Sequence, residues 1–173
     1  MNQLPPSLDP KWKQYEESRL TLLASLSPLT AEQLSTPPPT GGWCILEVIE
    51  HLSRVDSLIL KGIKQANEAT RTARITDWIK YQLLVLAMVL PLKFPSPRNV
   101  TPREIPNSLA DVAERWAQSR VLWNEYLRAQ PEASFKQVVF SHPRAGGLTL
   151  PQTLRWLQAH QQRHIRQITR ILT

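Results

Sequence analysis

Four histidines occur in this 173-residue chain, and two of them, His160 and His164, stand four residues apart in the stretch AHQQRHIRQI. On an α-helix this spacing puts both rings on one face, where one nitrogen of each can hold the same cation. The same spacing also arises when each ring is satisfied separately, in a core or at a solvated rim. A buried imidazole has two nitrogens that need partners, and hydrogen bonds can supply them. The chemistry at stake is metal binding, and the surrounding helix decides whether the rings point inward.

On a helical wheel that sets Arg155 at zero, His160 and His164 fall near about 140° and 180°. They lie with Leu157, Ile168 and Ile171, opposite a stripe of Arg155, Arg163, Arg166 and Arg170. Two imidazoles on a core face need a reason, and a metal ion answers for both. A third histidine closes the stretch GGWCILEVIEHL, Gly41 to Leu52. His51 sits at the edge of an apolar face made by Val48, Leu52, Val55, Ile59 and Gly62. Three histidines with further positions open to water are a common catalytic metal set, and bundle interiors are where such sites are built.

The elements that must position these rings are helical. Glycine is scarce, and Leu, Ala, Gln, Glu, Arg and Lys are plentiful, which favours an all-α domain. The pattern predicts a first helix over Asp9–Ser25, with Asp9 as N-cap and Pro10 in the first turn. A short helical turn follows Thr30. The second long helix starts near Trp43 or Cys44 and runs to about residue 70. A further, mostly apolar helical piece covers Thr76–Leu90, and a third long helix covers Ser108–Ala129. The last begins at Thr149 or Leu150 and ends at Leu172. The one strand-like region is FKQVVFSHPRAGGLTL, with a turn at Gly146-Gly147. The proline-rich stretch 91–107 reads as an extended connector within one domain that spans 1–173. The expected fold is a four-helix bundle with long loops and an extra short helical segment.

Composition limits the function classes. The net charge is +7, but the basic residues are scattered, so a solvated basic surface is expected and nucleic-acid binding is not. A lone Cys44 excludes an intrachain disulfide and a thiolate cluster. The N-terminal MNQLPPSLDP has no apolar signal-like segment, so a cytoplasmic location is the expectation. LLVLAMVLPL, residues 83–92, is too short for a membrane span of about 20 residues and is expected to be a buried helix.

With these residues placed, GGWCILEVIEHL resembles the second-helix signature of the DinB-like, YfiT-related superfamily, in which a Trp precedes a His by eight positions. Trp43 and His51 have that spacing, and Cys44 stands where a small capping residue such as Ser is usual. HPRAGGLTLPQTLRWLQAHQQRHIRQI resembles the family's C-terminal signature, a His-Pro, a glycine, a helix start, H-x3-H and Gln-Ile. The resemblance spans about the whole chain. It implies a four-helix bundle with a divalent metal, nickel or zinc before others, on His51, His160 and His164. It also implies a small-molecule substrate, with a low-molecular-weight thiol as one candidate, and a homodimer.

Two functions follow as expectations. One is a metal-dependent thiol S-transferase or hydrolase; the other is a non-catalytic metal-binding or scaffold bundle that acts through dimerisation or a partner surface. Glu47, one turn before His51, is a candidate outer carboxylate to a ligand histidine. The arginine stripe faces away from the site and is not assigned to substrate. His142 reads as a loop histidine with one backbone hydrogen bond, although its His-Pro context resembles the family loop beside the site. Cys44 reads as a capping or packing residue. Trp43, Trp116 and Trp156 read as core.

Overall fold

The computed structural model describes residues 3–65, 71–90, 99–102 and 104–173. The elements run α1 (Asp9–Leu26), α2 (Ala31–Ser35), α3 (Ile45–Gln65), α4 (Ile75–Val89), α5 (Leu109–Arg128), a 3-10 turn (Glu132–Lys136), β1 (Val138–His142), β2 (Gly146–Thr149) and α6 (Leu150–Leu172). The long helices α1, α3, α5 and α6 make a four-helix bundle, with α4 laid along α6. The antiparallel hairpin β1–β2 stands between α4 and the start of α6. The all-α expectation holds, with the hairpin where the strand-like stretch placed it.

The helix starts follow local chemistry. Thr30 and Gln33 form a reciprocal capping box at α2, and at α6 the Gln152 Oε1 accepts from the Thr149 N–H at 2.9 Å. The Ser108 hydroxyl accepts from the Asp111 N–H at α5. At α1 the expectation was one residue off. Leu8 is the N-cap and makes no side-chain cap, while Asp9 is the first helical residue and pairs with Lys13 at 2.7 Å.

Two apolar clusters fill the bundle. One joins Trp12, Ile59, Trp123, Leu127, Leu154 and Leu157, and the other joins Leu26, Ile45, Val48, Ile49, Leu52 and Trp116. A buried polar knot ties α1, α3 and α5 together. The Asp56 carboxylate accepts from Tyr15 Oη at 2.6 Å and from Trp116 Nε1, and pairs with Arg120 at 2.9 Å. The Arg120 guanidinium lies over the Tyr15 ring at 3.7 Å. Breaking one partner of such a pair leaves a buried charge and costs about 3–5 kcal/mol, so the knot fixes the helix register.

Helix α4 departs from expectation. Its inner edge buries Asp77, Tyr81, Leu84 and Met88. Its outer face leaves Ile75 70 %, Leu83 61 %, Leu86 55 % and Val89 65 % exposed, so most of the 83–90 part of the apolar run is not buried; residues 91–98 lie outside the described residues. Among the described residues, no helix is long and apolar enough to cross a membrane. The N-terminus of α4 is pinned by Asp77, whose carboxylate takes a bidentate Arg71 and the N–H groups of Arg74 and Gly147. These donors hold the Asp77 carboxyl well below the usual range. The C-terminus is held from α6: Arg163 Nη1 donates to Leu90 O and Arg166 Nη2 to Met88 O, each at 2.8 Å. The arginine stripe thus serves partly as a cap for the carbonyls α4 cannot satisfy itself, not only as a solvated surface.

Candidate metal centre

His51 comes from the middle of α3, and His160 and His164 from adjacent turns of α6, where these two helices pack together. The three side chains are buried, 4 %, 9 % and 9 % exposed. His160 Nε2 lies 3.3 Å from His51 Nε2 and 3.2 Å from His164 Nε2. One nitrogen of each of the three rings lies within 4.8 Å of the others. Nitrogens bound at about 2.0–2.1 Å to one ion stand about 2.9–3.4 Å apart for bond angles between right and tetrahedral. The two spacings from His160 fit a shared cation.

The far side of each outer ring fixes its tautomer. His51 Nδ1 donates to the Val100 carbonyl at 2.8 Å, because a carbonyl can only accept. His164 Nδ1 donates to Gln167 Oε1 at 2.8 Å. Both rings therefore present a lone pair at Nε2, and both lone pairs face His160 Nε2. That atom can give a proton to one of them at most, so the three rings cannot satisfy one another. A cation accepts all three lone pairs at once, with the outer bonds in the usual supporting role.

Electrostatics keep the rings in the ligand form. Burial first, then the neighbouring His164 and His51, holds His160 well below the ordinary histidine range. Burial, followed by His51, pushes His164 down to about 3. Burial also lowers His51, against the opposing bond to Val100. All three are neutral at pH 7, as metal binding requires.

Aromatic rings wall the cluster. Trp43 lies 4.9 Å from His51 between ring centroids, and Trp156 stacks on His160 at 5.2 Å and 19°. Of the three tryptophans assigned to the core, only Trp116 is purely core, fully buried on Asp56. Trp43 and Trp156 line the histidines. His142 stands edge-on to Trp156 at 5.0 Å. Its Nδ1 accepts two backbone N–H groups where one was expected, from Arg144 and Ala145.

Glu47 is not an outer carboxylate to His51. Its Oε2 accepts from the Cys44 N–H at 2.9 Å and caps the start of α3. Cys44 is fully buried, and burial pushes its thiol up, which suits packing and not a nucleophile. A cleft of 730 Å³ lies elsewhere, lined by Glu50, Arg54, Glu104, Asp111, Glu114 and Arg115 among others, and no histidine lines it. Arg115 and Glu50 pair across it at 2.6 Å, and the cleft reads as a solvated polar face. Sequence reasoning missed Val100, a backbone partner with no side-chain signal. Gln167 stood in view as the Gln of the Gln-Ile pair, three residues beyond His164.

The sequence pattern of the DinB superfamily matches residues 14–168. The chain belongs to the DinB superfamily. Among curated relatives, the uncharacterized protein YuaE of Bacillus subtilis (strain 168) is 26 % identical over 157 residues, covering 91 % of this chain and 94 % of YuaE. Two solved structures share the fold with a TM-score of 0.58 each. TT2238, a four-helix bundle protein, is 23 % identical and matches over 94 % of this chain and 98 % of its own. YfiT from Bacillus subtilis, described as a probable metal-dependent hydrolase with an unusual four-helix bundle topology, is 20 % identical and matches over 99 % and 89 %. Membership of the DinB superfamily and the three-histidine cluster together support a divalent metal and a metal-dependent function.

Proposed function

We propose that this DinB-superfamily chain binds a divalent metal, nickel or zinc first, through His51, His160 and His164, and is a metal-dependent enzyme that transfers a low-molecular-weight thiol to an electrophilic small molecule. One observation carries the reading: three buried Nε2 atoms converge, and at least one lone pair has no partner among the described residues. A divalent cation held there supplies the Lewis acidity that ionises a thiol or a water near neutral pH.

Hydrolysis is the second reading, favoured by the likeness to YfiT. The residues around the cluster favour the thiol. Among the described residues no carboxylate joins the three rings, and Glu47 is committed to the α3 cap. Among the described residues, no carboxylate thus stands with the rings as a base to take a proton from water. A thiol, with an unperturbed pKa of about 8.5 against about 15.7 for water, makes the smaller demand. Trp43 and Trp156 give the site two apolar walls suited to a hydrophobic electrophile.

The test is metal analysis of protein purified without a nickel column, with thiol-transfer and ester-hydrolysis assays on the same sample. Stoichiometric metal with thiol transfer that a chelator abolishes supports the reading. A fourth protein ligand closing the site, with no turnover in either assay, would make the metal structural and the chain a scaffold.

We further propose a homodimer through the outer face of α4. Ile75, Trp78, Ile79, Leu83, Leu86, Val89 and Leu90 form an exposed stripe on that helix. They expose roughly 800 Å², the share each partner gives a standard interface and more than the largest patch usual on a monomer. A stripe on a single helix can pair with its own copy about a twofold axis, so the second copy is the partner this face fits.

A further inference from the structure

We propose that His142 is a neutral hydrogen-bond donor, fixed in one tautomer, that binds an oxygen acceptor such as a carboxylate or carbonyl on the small molecule reacting at the three-histidine cluster. The proposal rests on the metal-centred reading above. The observation behind it is the construction of the β1–β2 turn. Residues Pro143, Arg144 and Ala145 join the strands, and Gly146 takes a φ of +71° to turn the chain back. Pro143 has no N–H, so the next two amides are those of Arg144 and Ala145. Both donate to His142 Nδ1, each at 3.2 Å.

A ring nitrogen that accepts N–H donors has its lone pair there, so the proton of the neutral ring is on Nε2. Nε2 makes no hydrogen bond to the described residues, and the ring is half-buried. It is a donor held in place with no partner among those residues. Its position gives that donor a use. The His142 ring meets Trp156 edge-on at 5.0 Å, and the same indole stacks on His160 at 5.2 Å. One indole separates the His142 ring from a ring of the cluster. The hairpin carries the donor and α6 carries the indole and two of the three histidines, and β1 packs on α6. A histidine needed only to close the turn would use Nδ1 alone, and asparagine would serve as well, since its side-chain oxygen caps such amides.

That equivalence supplies the test. His142→Asn keeps the turn and removes the Nε2 donor. Long-range proton–nitrogen NMR on the full chain should show His142 protonated at Nε2 alone at pH 7; two tautomers in exchange would overturn the proposal. Wild type and variant are then loaded with cobalt(II) and titrated with 3-mercaptopropionate and with propanethiol, thiols that differ in one carboxylate. We expect equal cobalt uptake and equal melting temperature. 3-Mercaptopropionate should bind the variant about tenfold more weakly, the loss of one charge-assisted hydrogen bond, and propanethiol should bind both alike. Equal affinity for 3-mercaptopropionate in the two proteins would overturn the proposal and leave the metal site standing. An equal loss for both thiols would show that His142 only props the site, and would also overturn it. Failure of the wild-type protein to take up cobalt would overturn the metal reading and this one with it.

Discussion

Gln167 is the place to separate a metal site from three histidines that happen to meet. Its Oε1 accepts the His164 Nδ1–H at 2.8 Å, and this bond leaves the lone pair on the Nε2 that faces the other two rings. Gln167→Ala removes the acceptor and frees His164 to flip or change tautomer. Losing an outer partner of this kind costs about 10–100-fold in metal affinity, or about 1.4–2.7 kcal/mol. In the metal-free protein the same change removes one half-buried hydrogen bond, worth about 1 kcal/mol or less once water takes the vacant place. The loss should therefore fall mainly on the loaded state.

The assay is a zinc competition titration against a chromophoric chelator at pH 7.5, with denaturant melts of metal-free and loaded protein beside it. Gln167→Ala should weaken zinc by at least tenfold and leave the metal-free melt close to wild type. Gln167→Glu puts a carboxylate on the same Nδ1–H and should hold zinc at least as tightly as wild type. If Gln167→Ala binds zinc within about twofold of wild type, the outer bond does not organise a ligand and the argument from tautomers fails. If the metal-free protein loses as much stability as the loaded one, Gln167 is a packing residue only.

Four further outcomes follow. Chelating the metal should lower the melting temperature by about 5–10 °C without unfolding the bundle, as expected for a ligand held at about a hundred times its Kd; complete unfolding would make the metal structural. His160→Ala should abolish thiol transfer at an unchanged circular dichroism spectrum, whereas Arg163→Ala should cost about 1–2 kcal/mol by uncapping α4 and leave zinc affinity intact; the reverse pattern would move the function to the arginine face. Because the folded-state pKa values of His51, His160 and His164 are lowered, the unfolded chain takes protons that the folded one refuses. Metal-free stability should thus be level above about pH 6.5 and fall below it toward about pH 3, by up to about 1.4 kcal/mol per pH unit for each ring; a flat denaturation profile from pH 7 to 5 would contradict the burial. Leu83→Lys with Leu86→Lys should convert a sedimenting dimer to a folded monomer, and a wild-type monomer would refute the α4 interface.

The helices were legible because their signals are local. Prolines, capping boxes and the 3.6-residue apolar period are written in neighbouring residues, and they placed α2, α5 and α6 within a residue or two. The pairing of His160 with His164 was legible for the same reason. What joined them to His51, 109 positions from His160, was two motif spacings taken together, since helical periodicity says which face is buried but not which helix it meets. The errors came where a residue had two chemically sensible partners. Glu47 could reach a ligand histidine or the Cys44 amide, and at an α-helix start the amide is the nearer claim on a side chain three residues on. The α4 run was expected to be buried because apolar residues usually are, and the wheel alone cannot say that only one of its two apolar faces is buried among the described residues.

The burial that would suit the three rings to a metal also makes them costly without one. At neutral pH they are uncharged, so they do not repel one another as cations. They still hold more inward lone pairs than protons to fill them, within about 9 % exposure or less, where water is a poor substitute. A core built for stability alone would put leucine at these positions. The surrounding residues instead add polar partners, Val100 on one side and Gln167 on the other, that hold the rings in the one tautomer least able to satisfy its neighbours. Outer bonds that worsen the internal fit and improve the fit to a cation make sense in a chain whose working state has the cation bound.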